Sequence, residues 1–250
     1  MSSGTPTAEA LLNPPRYGLA RVAIGKALYW HYRLFRKKRH DTVVLEHIGD
    51  FPLLVLPGVL NPKAMRTGAF FASQLRAGLI DPGAHVLDMG TGSGVCAIAA
   101  ARHARRVVAV DINPAAVRCT QINALMNGQE NKIEVAHGDL FAPVKGRRFD
   151  LVLFNPPFIR GAPGNDADRA WRSIDVAERF AAGLTEHLTP SGFALVLLST
   201  FGDASEFVRQ FRCWNFDISI VAERAFVNEK LTILRLRQTP HHPQLEIRND

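Results

Sequence analysis

Residues 86–95 read Val86-Leu87-Asp88-Met89-Gly90-Thr91-Gly92-Ser93-Gly94-Val95. A short apolar run of strand length ends in a glycine-rich turn, and the turn opens onto a run of helical character over 95–103. Glycine there permits a tight backbone path and lets a ligand come close to the main chain. The spacing is Gly-x-Gly-x-Gly, not the Gly-x-Gly-x-x-Gly of dinucleotide sites. No lysine follows the turn, which excludes a P-loop.

Outward from this stretch the chain alternates. Strands are expected at 86–89, 107–111, 133–137, 151–155 and 194–199, with helices at 95–103, 114–127 and 175–187 between them. Such alternation implies a parallel sheet covered on both faces. A further helix at 204–211 precedes two strands, 217–222 and 231–237. They are joined by Phe226-Val227-Asn228-Glu229-Lys230, which predicts a C-terminal antiparallel hairpin. Upstream, 42–47 and 51–56 flank Ile48-Gly49-Asp50 and predict a second hairpin. One helix over 62–80 follows it, closed by Asp81-Pro82-Gly83. In 16–39, Val22, Ala23, Ala27, Trp30 and Leu34 recur at spacings of three and four, as on the apolar face of a helix. The expected organisation is a flexible tail (1–15), a helix, hairpin and lead-in helix (16–83), a ligand-binding α/β domain (84–238) and a second tail (239–250).

The composition is that of an ordinary globular protein, 47% hydrophobic and 21% charged over 250 residues. This excludes wholesale disorder, collagen and coiled coil. No run of about 18 apolar residues occurs, so no transmembrane segment is expected. The first residues lack the pattern of a signal segment. Three cysteines, odd in number and far apart, give neither a disulfide framework nor a zinc spacing. No metal is expected, and a reducing, cytoplasmic setting is. The net charge of +7 resides in residues 1–40, which hold eight basic residues and one acidic; the other 210 residues net to zero. A neutral body argues against a broad nucleic-acid-binding face there.

Two carboxylates stand where a strand-end ligand would meet them. Asp111, at the end of the second strand, can accept hydrogen bonds from both hydroxyls of a ribose, and Asp139, after the third, can accept from an adenine amino group. Together with the glycine turn these residues resemble the S-adenosylmethionine site of class I methyltransferases, over roughly residues 60–237. The resemblance implies an α/β, Rossmann-like, doubly wound sheet, mostly parallel with the C-terminal antiparallel hairpin. It implies a cofactor, S-adenosyl-L-methionine. Asp88 with Gly90, Thr91, Gly92 and Gly94 would hold the methionine part, Asp111 and Ile112 the ribose and adenine edge, and Asp139 with Leu140 the adenine. Thr67, by likeness to the segment that precedes the cofactor domain, would lie against the methionine end.

The fourth strand runs directly into Asn155-Pro156-Pro157-Phe158. This resembles the Asn-Pro-Pro-Phe/Tyr signature of methyltransferases that modify planar nitrogens. An sp² nitrogen is a poor nucleophile, because its lone pair is delocalised. The Asn155 side-chain oxygen and the Pro156 carbonyl can each accept one of its N–H groups and fix it in line with an electrophile. Phe158 can stack on the flat group. The catalytic candidates are therefore Asn155, Pro156 and Phe158. Asn13-Pro14-Pro15 repeats the tripeptide with no strand before it and gets no role.

The expected function is N-methylation of a planar amide or exocyclic amino nitrogen. A macromolecular substrate, either a protein glutamine or a nucleic-acid base, is favoured. Residues 170–173 and 178–180 look like the release-factor glutamine branch, although Arg172-Ser173 stands where that branch has a Gly-Gly-rich turn. Ile159 stands where the guanine-modifying branch has histidine. A small-molecule N-methyltransferase and an RNA-interaction protein with little turnover stay open as alternatives. The basic segment ending in Arg36-Lys37-Lys38-Arg39 can contact an anionic partner, or pack on the body with its charges solvated. The loop over 160–172 is a candidate lid.

Overall fold

The computed structural model describes residues 42–157, 159–161, 172–227 and 229–239. The expected helix over 16–39, both tails apart from Thr239, Phe158 and most of the candidate lid lie outside the described residues.

The described residues open with the antiparallel hairpin β1 (Val44–Ile48) and β2 (Phe51–Val55), turning at Gly49 and Asp50. Two short helices follow, α1 (Pro62–Met65) and α2 (Thr67–Gln74). The single helix expected over 62–80 is corrected here. Arg66 adopts a left-handed conformation, φ 62°, and breaks it. Pro62 packs so closely on Gly68 that an added Cβ there would lie 3.1 Å from the proline ring. This approach requires the two helices to fold against each other. Beyond Gln74 the chain turns at Gly78, φ 86°, and does not continue as helix.

The α/β part then runs as β3 (His85–Met89), α3 (Val95–Ala101), β4 (Arg106–Asp111), α4 (Pro114–Met126), β5 (Ile133–His137) and β6 (Phe149–Phe154). The two-residue strands β7 (Ile159–Arg160) and β8 (Arg172–Ser173) pair parallel across the base of the loop. They are followed by α5 (Val176–His187), β9 (Leu188–Ser199), α6 (Ala204–Cys213), β10 (Phe216–Ala225) and β11 (Lys230–Gln238). Seven strands form one sheet in the order β5-β4-β3-β6-β9-β11-β10. The first five are parallel. β11 pairs antiparallel with β9 and β10 antiparallel with β11, so the hairpin enters the sheet last strand first. The class I methyltransferase sheet implied by the sequence is the observed one.

Local chemistry sets the helix starts. Asn113 caps α4 by accepting the Ala115 N–H, with proline at the first helical position, and Asp203 caps α6 by accepting the Glu206 N–H. Successive strand residues feed opposite faces, as the pleat demands. Val86, Val107 and Leu151 pack with α2 and α3, while Leu87, Val108 and Val152 pack with α5 and α6. Every residue of α3 is buried, which explains why Val-Cys-Ala-Ile-Ala-Ala-Ala carries no polar stripe. Among the described residues no helix is long and apolar enough to cross a membrane, and no group of His, Cys, Asp or Glu is arranged to hold a metal.

Candidate active site

In an open α/β sheet, ligands bind outside the carboxyl ends of the strands where the strand order reverses. Here the chain moves from β3 through β4 to β5 on one side, then returns to place β6 on the other side of β3. A cavity of about 490 Å³ lies at that point, within the range of small-molecule sites. Its wall is drawn from six chain segments: the linker at 58–60, the start of α2, and the loops that leave β3, β4, β5 and β6. The beginning of α5 closes it with Val176 and Arg179.

The glycine turn forms the floor. Gly92 has φ 58°, and an added Cβ would meet nothing within 4 Å, so the left-handed backbone alone calls for glycine. Gly94 does not line the cavity. Its φ is 82°, and a Cβ would lie 3.0 Å from the Thr120 methyl on α4, which fixes how closely that helix approaches the turn. Gly90 and Thr91 line the wall.

Asp88 also stands apart from the cavity wall. It is buried beneath the turn, and its Oδ2 accepts the Thr91 hydroxyl at 2.6 Å. Burial pushes its pKa up to about 7, offset in part by the bonds from Thr91 and the Ala97 N–H and reinforced by the nearby charge of Asp111. Asp111 does reach the cavity. One of its oxygens accepts the Gly92 N–H and the other the Asn113 N–H, both at 2.8 Å. Burial raises its pKa, and these backbone bonds and His137 oppose the rise. A carboxylate so held keeps one lone pair on each oxygen for a vicinal diol. Ile112 and Leu140 form apolar wall beside it, and Leu140 is held at φ 46°, an uncommon conformation for its type.

Asp139 lines the cavity but carries a partner that the sequence reading missed. Arg179 donates to its Oδ2 and lies 3.8 Å from Asp175. The hydrogen bond with Asp139 raises the Arg179 pKa. The available signal was Asp175 four residues before Arg179 on the expected helix. Asn113 was also missed. Its side-chain nitrogen donates to the Gly58 carbonyl and so ties the linker after β2 to the loop after β4.

Asn155, at the end of β6, lines the cavity. Its amide nitrogen faces the Thr67 hydroxyl at 3.5 Å, while its Oδ1 is buried with no hydrogen-bond partner. A buried acceptor left unmatched is costly, and a ligand bringing an N–H would satisfy it. Thr67, itself buried, is thereby placed against Asn155. Pro156 is buried and Pro157 lines the wall; Phe158 falls outside the described residues.

The arrangement fits an adenosine-like group with a charged tail. Asp111 offers a free lone pair on each carboxylate oxygen, apolar wall flanks it, and a glycine floor leaves the main chain open.

A family model described as "methyltransferase small domain" matches residues 51–212. The chain is 35% identical over 151 residues to ribosomal RNA small subunit methyltransferase C of Alcanivorax borkumensis, a match covering 60% of this chain and 42% of that protein. It is 36% identical over 121 residues to ribosomal protein uL3 glutamine methyltransferase of Bradyrhizobium diazoefficiens, covering 43% and 38%. The chain thus spans about two fifths of the length of these curated relatives. Among solved structures, a T. thermophilus 16S rRNA N2 methyltransferase in complex with AdoMet and guanosine superposes with a TM-score of 0.58 at 24% identity, covering 79% of this chain and 50% of that one. The ribosomal protein L11 methylase of Lactobacillus delbrueckii gives 0.54 at 21% identity, over 74% and 84%.

Proposed function

Since the chain belongs to the methyltransferase small domain family, we propose that it is an S-adenosylmethionine-dependent N-methyltransferase acting on a planar nitrogen of a macromolecule. That nitrogen is the amide of a protein glutamine or an exocyclic amino group of a nucleic-acid base. The bound cofactor supplies an electrophilic methyl group on a sulfonium sulfur. Asp111 would take the ribose diol, Ile112 and Leu140 the adenine faces, and the turn at 90–92 the methionine end. Asp88 acts from below, by holding Thr91 and hence the shape of the turn.

Asn155 carries the reading, because its Oδ1 is a buried acceptor without a partner on the cavity wall. Oδ1 accepts one N–H of the incoming nitrogen and the Pro156 carbonyl accepts the other. With both held, the nitrogen is fixed in line for transfer. Positive charge that develops on it is stabilised by the same two oxygens, so no strong base is needed at this end. Thr67 holds the Asn155 amide by its other end.

The test is methyl transfer from labelled cofactor onto separated protein, RNA and metabolite pools. Wild type should label a protein or RNA pool. Asn155→Ala should lower the rate on the order of a hundredfold, the scale seen when one such charge-stabilising group is lost, and leave cofactor affinity within a few-fold. Equal labelling by the variant, or label confined to metabolites, would overturn the proposal.

A further inference from the structure

Next in the chain to Thr67, which faces Asn155, Arg66 shares one aromatic ring with a second guanidinium group. The Arg66 Cζ lies 4.9 Å from the Phe226 ring centroid and the Arg224 Cζ 5.3 Å from it. The two cations are therefore within about 10 Å of each other. Both arginines are exposed, and among the described residues no carboxylate pairs with either. The acids near the turn of this hairpin are engaged elsewhere: Glu223 with Lys230 at 2.6 Å, and Glu229 with the Ser199 hydroxyl.

The patch belongs to the same edge of the sheet as the site. Phe154 of β6 pairs with Val196 of β9, and Ser199, at the carboxyl end of β9, pairs with Leu231 of β11. The β10–β11 turn is bound to that end through the Thr200 N–H to the Lys230 carbonyl, and the Lys230 N–H to the Thr200 hydroxyl. Arg66 immediately precedes Thr67, the residue that faces the Asn155 amide, and its φ of 62° is uncommon for a residue with a Cβ. Phe201, 44% exposed, follows β9 on the same rim.

We propose that Arg66, Arg224 and Phe226 form a docking site for the phosphates of single-stranded RNA beside the acceptor pocket. The inference rests on the N-methyltransferase reading and chooses nucleic acid over protein glutamine as its substrate. Two close cations without acidic partners repel each other, and a polyanion relieves that repulsion. Guanidinium groups pair with phosphate oxygens by two parallel hydrogen bonds. Both lie over the Phe226 ring, and the exposed Phe201 ring nearby offers a base a surface to stack on.

The experiment measures the affinity of a labelled single-stranded RNA 20-mer against salt, using the full chain. Arg224→Gln should weaken binding about three- to tenfold at 0.15 M salt. It should also lower the slope of log affinity on log salt by about 0.7, the value for one phosphate contact on a single strand. Arg66→Asn, which keeps a residue tolerant of the left-handed backbone, should do the same, and Arg224→Lys should restore part of the slope. Cofactor affinity, read by calorimetry, should be unchanged in the Arg224 variants, which separates lost docking from lost folding. An unchanged slope in both truncations overturns the proposal. So does Asn155-dependent labelling of a protein pool that Arg224→Gln leaves intact, and in that case the N-methyltransferase reading survives. Failure of the wild type to bind cofactor would instead remove that reading while the salt slopes still decide the docking site.

Discussion

Burial pushes the Asp88 carboxyl pKa up to about 7 for a reason rooted in its place. It is 3% exposed, under a turn whose only help is one hydroxyl and one backbone N–H. Its folded-state pKa of about 7 stands above the ordinary carboxyl value of 3.8. The folded state therefore binds more protons than the unfolded one between these values, and stability falls as pH rises from about 4 to about 7. The contribution of Asp88 is flat outside that window. At about 1.4 kcal/mol for each tenfold change in proton affinity the scale is about 4 kcal/mol, an upper figure. Asp88→Asn keeps an acceptor for the Thr91 hydroxyl and removes the titration. Urea midpoints between pH 4 and 8 should show wild type losing stability relative to the variant as pH rises through this window. Parallel profiles would mean that the proton is elsewhere. The sequence showed Asp88 before the turn, but not that the side chain lies under the turn instead of in the cavity, because a strand residue's face is decided by packing.

At the scale of elements, α4 holds the hairpin to the α/β part. Asn123, fully buried, behaves towards β2 like a neighbouring strand. Its Oδ1 accepts the Leu54 N–H at 2.7 Å and its Nδ2 donates to the Leu54 carbonyl at 2.7 Å, and also to the Ser93 carbonyl. One side chain thus joins β2, α4 and the glycine turn. Asn123→Ala leaves the Leu54 N–H and the Ser93 carbonyl without this partner, while the Leu54 carbonyl keeps the Cys119 thiol; at about 1 kcal/mol or more for each lost partner the loss should be about 2–3 kcal/mol. A denaturant titration reads it, and Asn127→Ala, which removes a bond to the more peripheral Pro52 carbonyl, should cost less. The β-hairpin itself was plain in the sequence, since two apolar runs flank a turn signal. Its attachment was not, because a lone asparagine in a helix says nothing of the strand it meets. The break at Arg66 was hidden for the same kind of reason: residues 62–74 have helical composition, and only the packing of Pro62 on Gly68 divides them. Most strands and helices of the α/β part were legible to within a few residues because buried strands and fully buried helices leave long apolar runs, but β9 begins six residues before its expected start, at Leu188, where Thr189-Pro190-Ser191-Gly192 reads as a turn, and the short pair β7 and β8 was not expected. The order β9-β11-β10 was not, since a hairpin can join a sheet edge by either strand.

Across the whole molecule, the cavity is the place where the pieces meet. The linker after β2, α2, four strand ends and α5 each contribute wall, so a ligand there ties together elements distant in sequence. Such a ligand binds only the folded chain, and its binding free energy adds to stability. At one hundred times the dissociation constant the gain is about 2.7 kcal/mol. For a chain of this length each kcal/mol moves Tm by about 2–4 °C. S-adenosylmethionine or its demethylated product should therefore raise Tm by about 5–10 °C, and adenosine alone should give a smaller rise at equal concentration. Asp111→Ala should lower the unliganded Tm modestly, because the Gly92 and Asn113 N–H groups lose their acceptor, and should abolish most of the rise. Thermal melts of both proteins with and without ligand separate these effects. A full rise in the Asp111 variant would place the ribose elsewhere on the wall. No rise in wild type would deny the cavity its cofactor, whatever the family resemblance of the sheet around it.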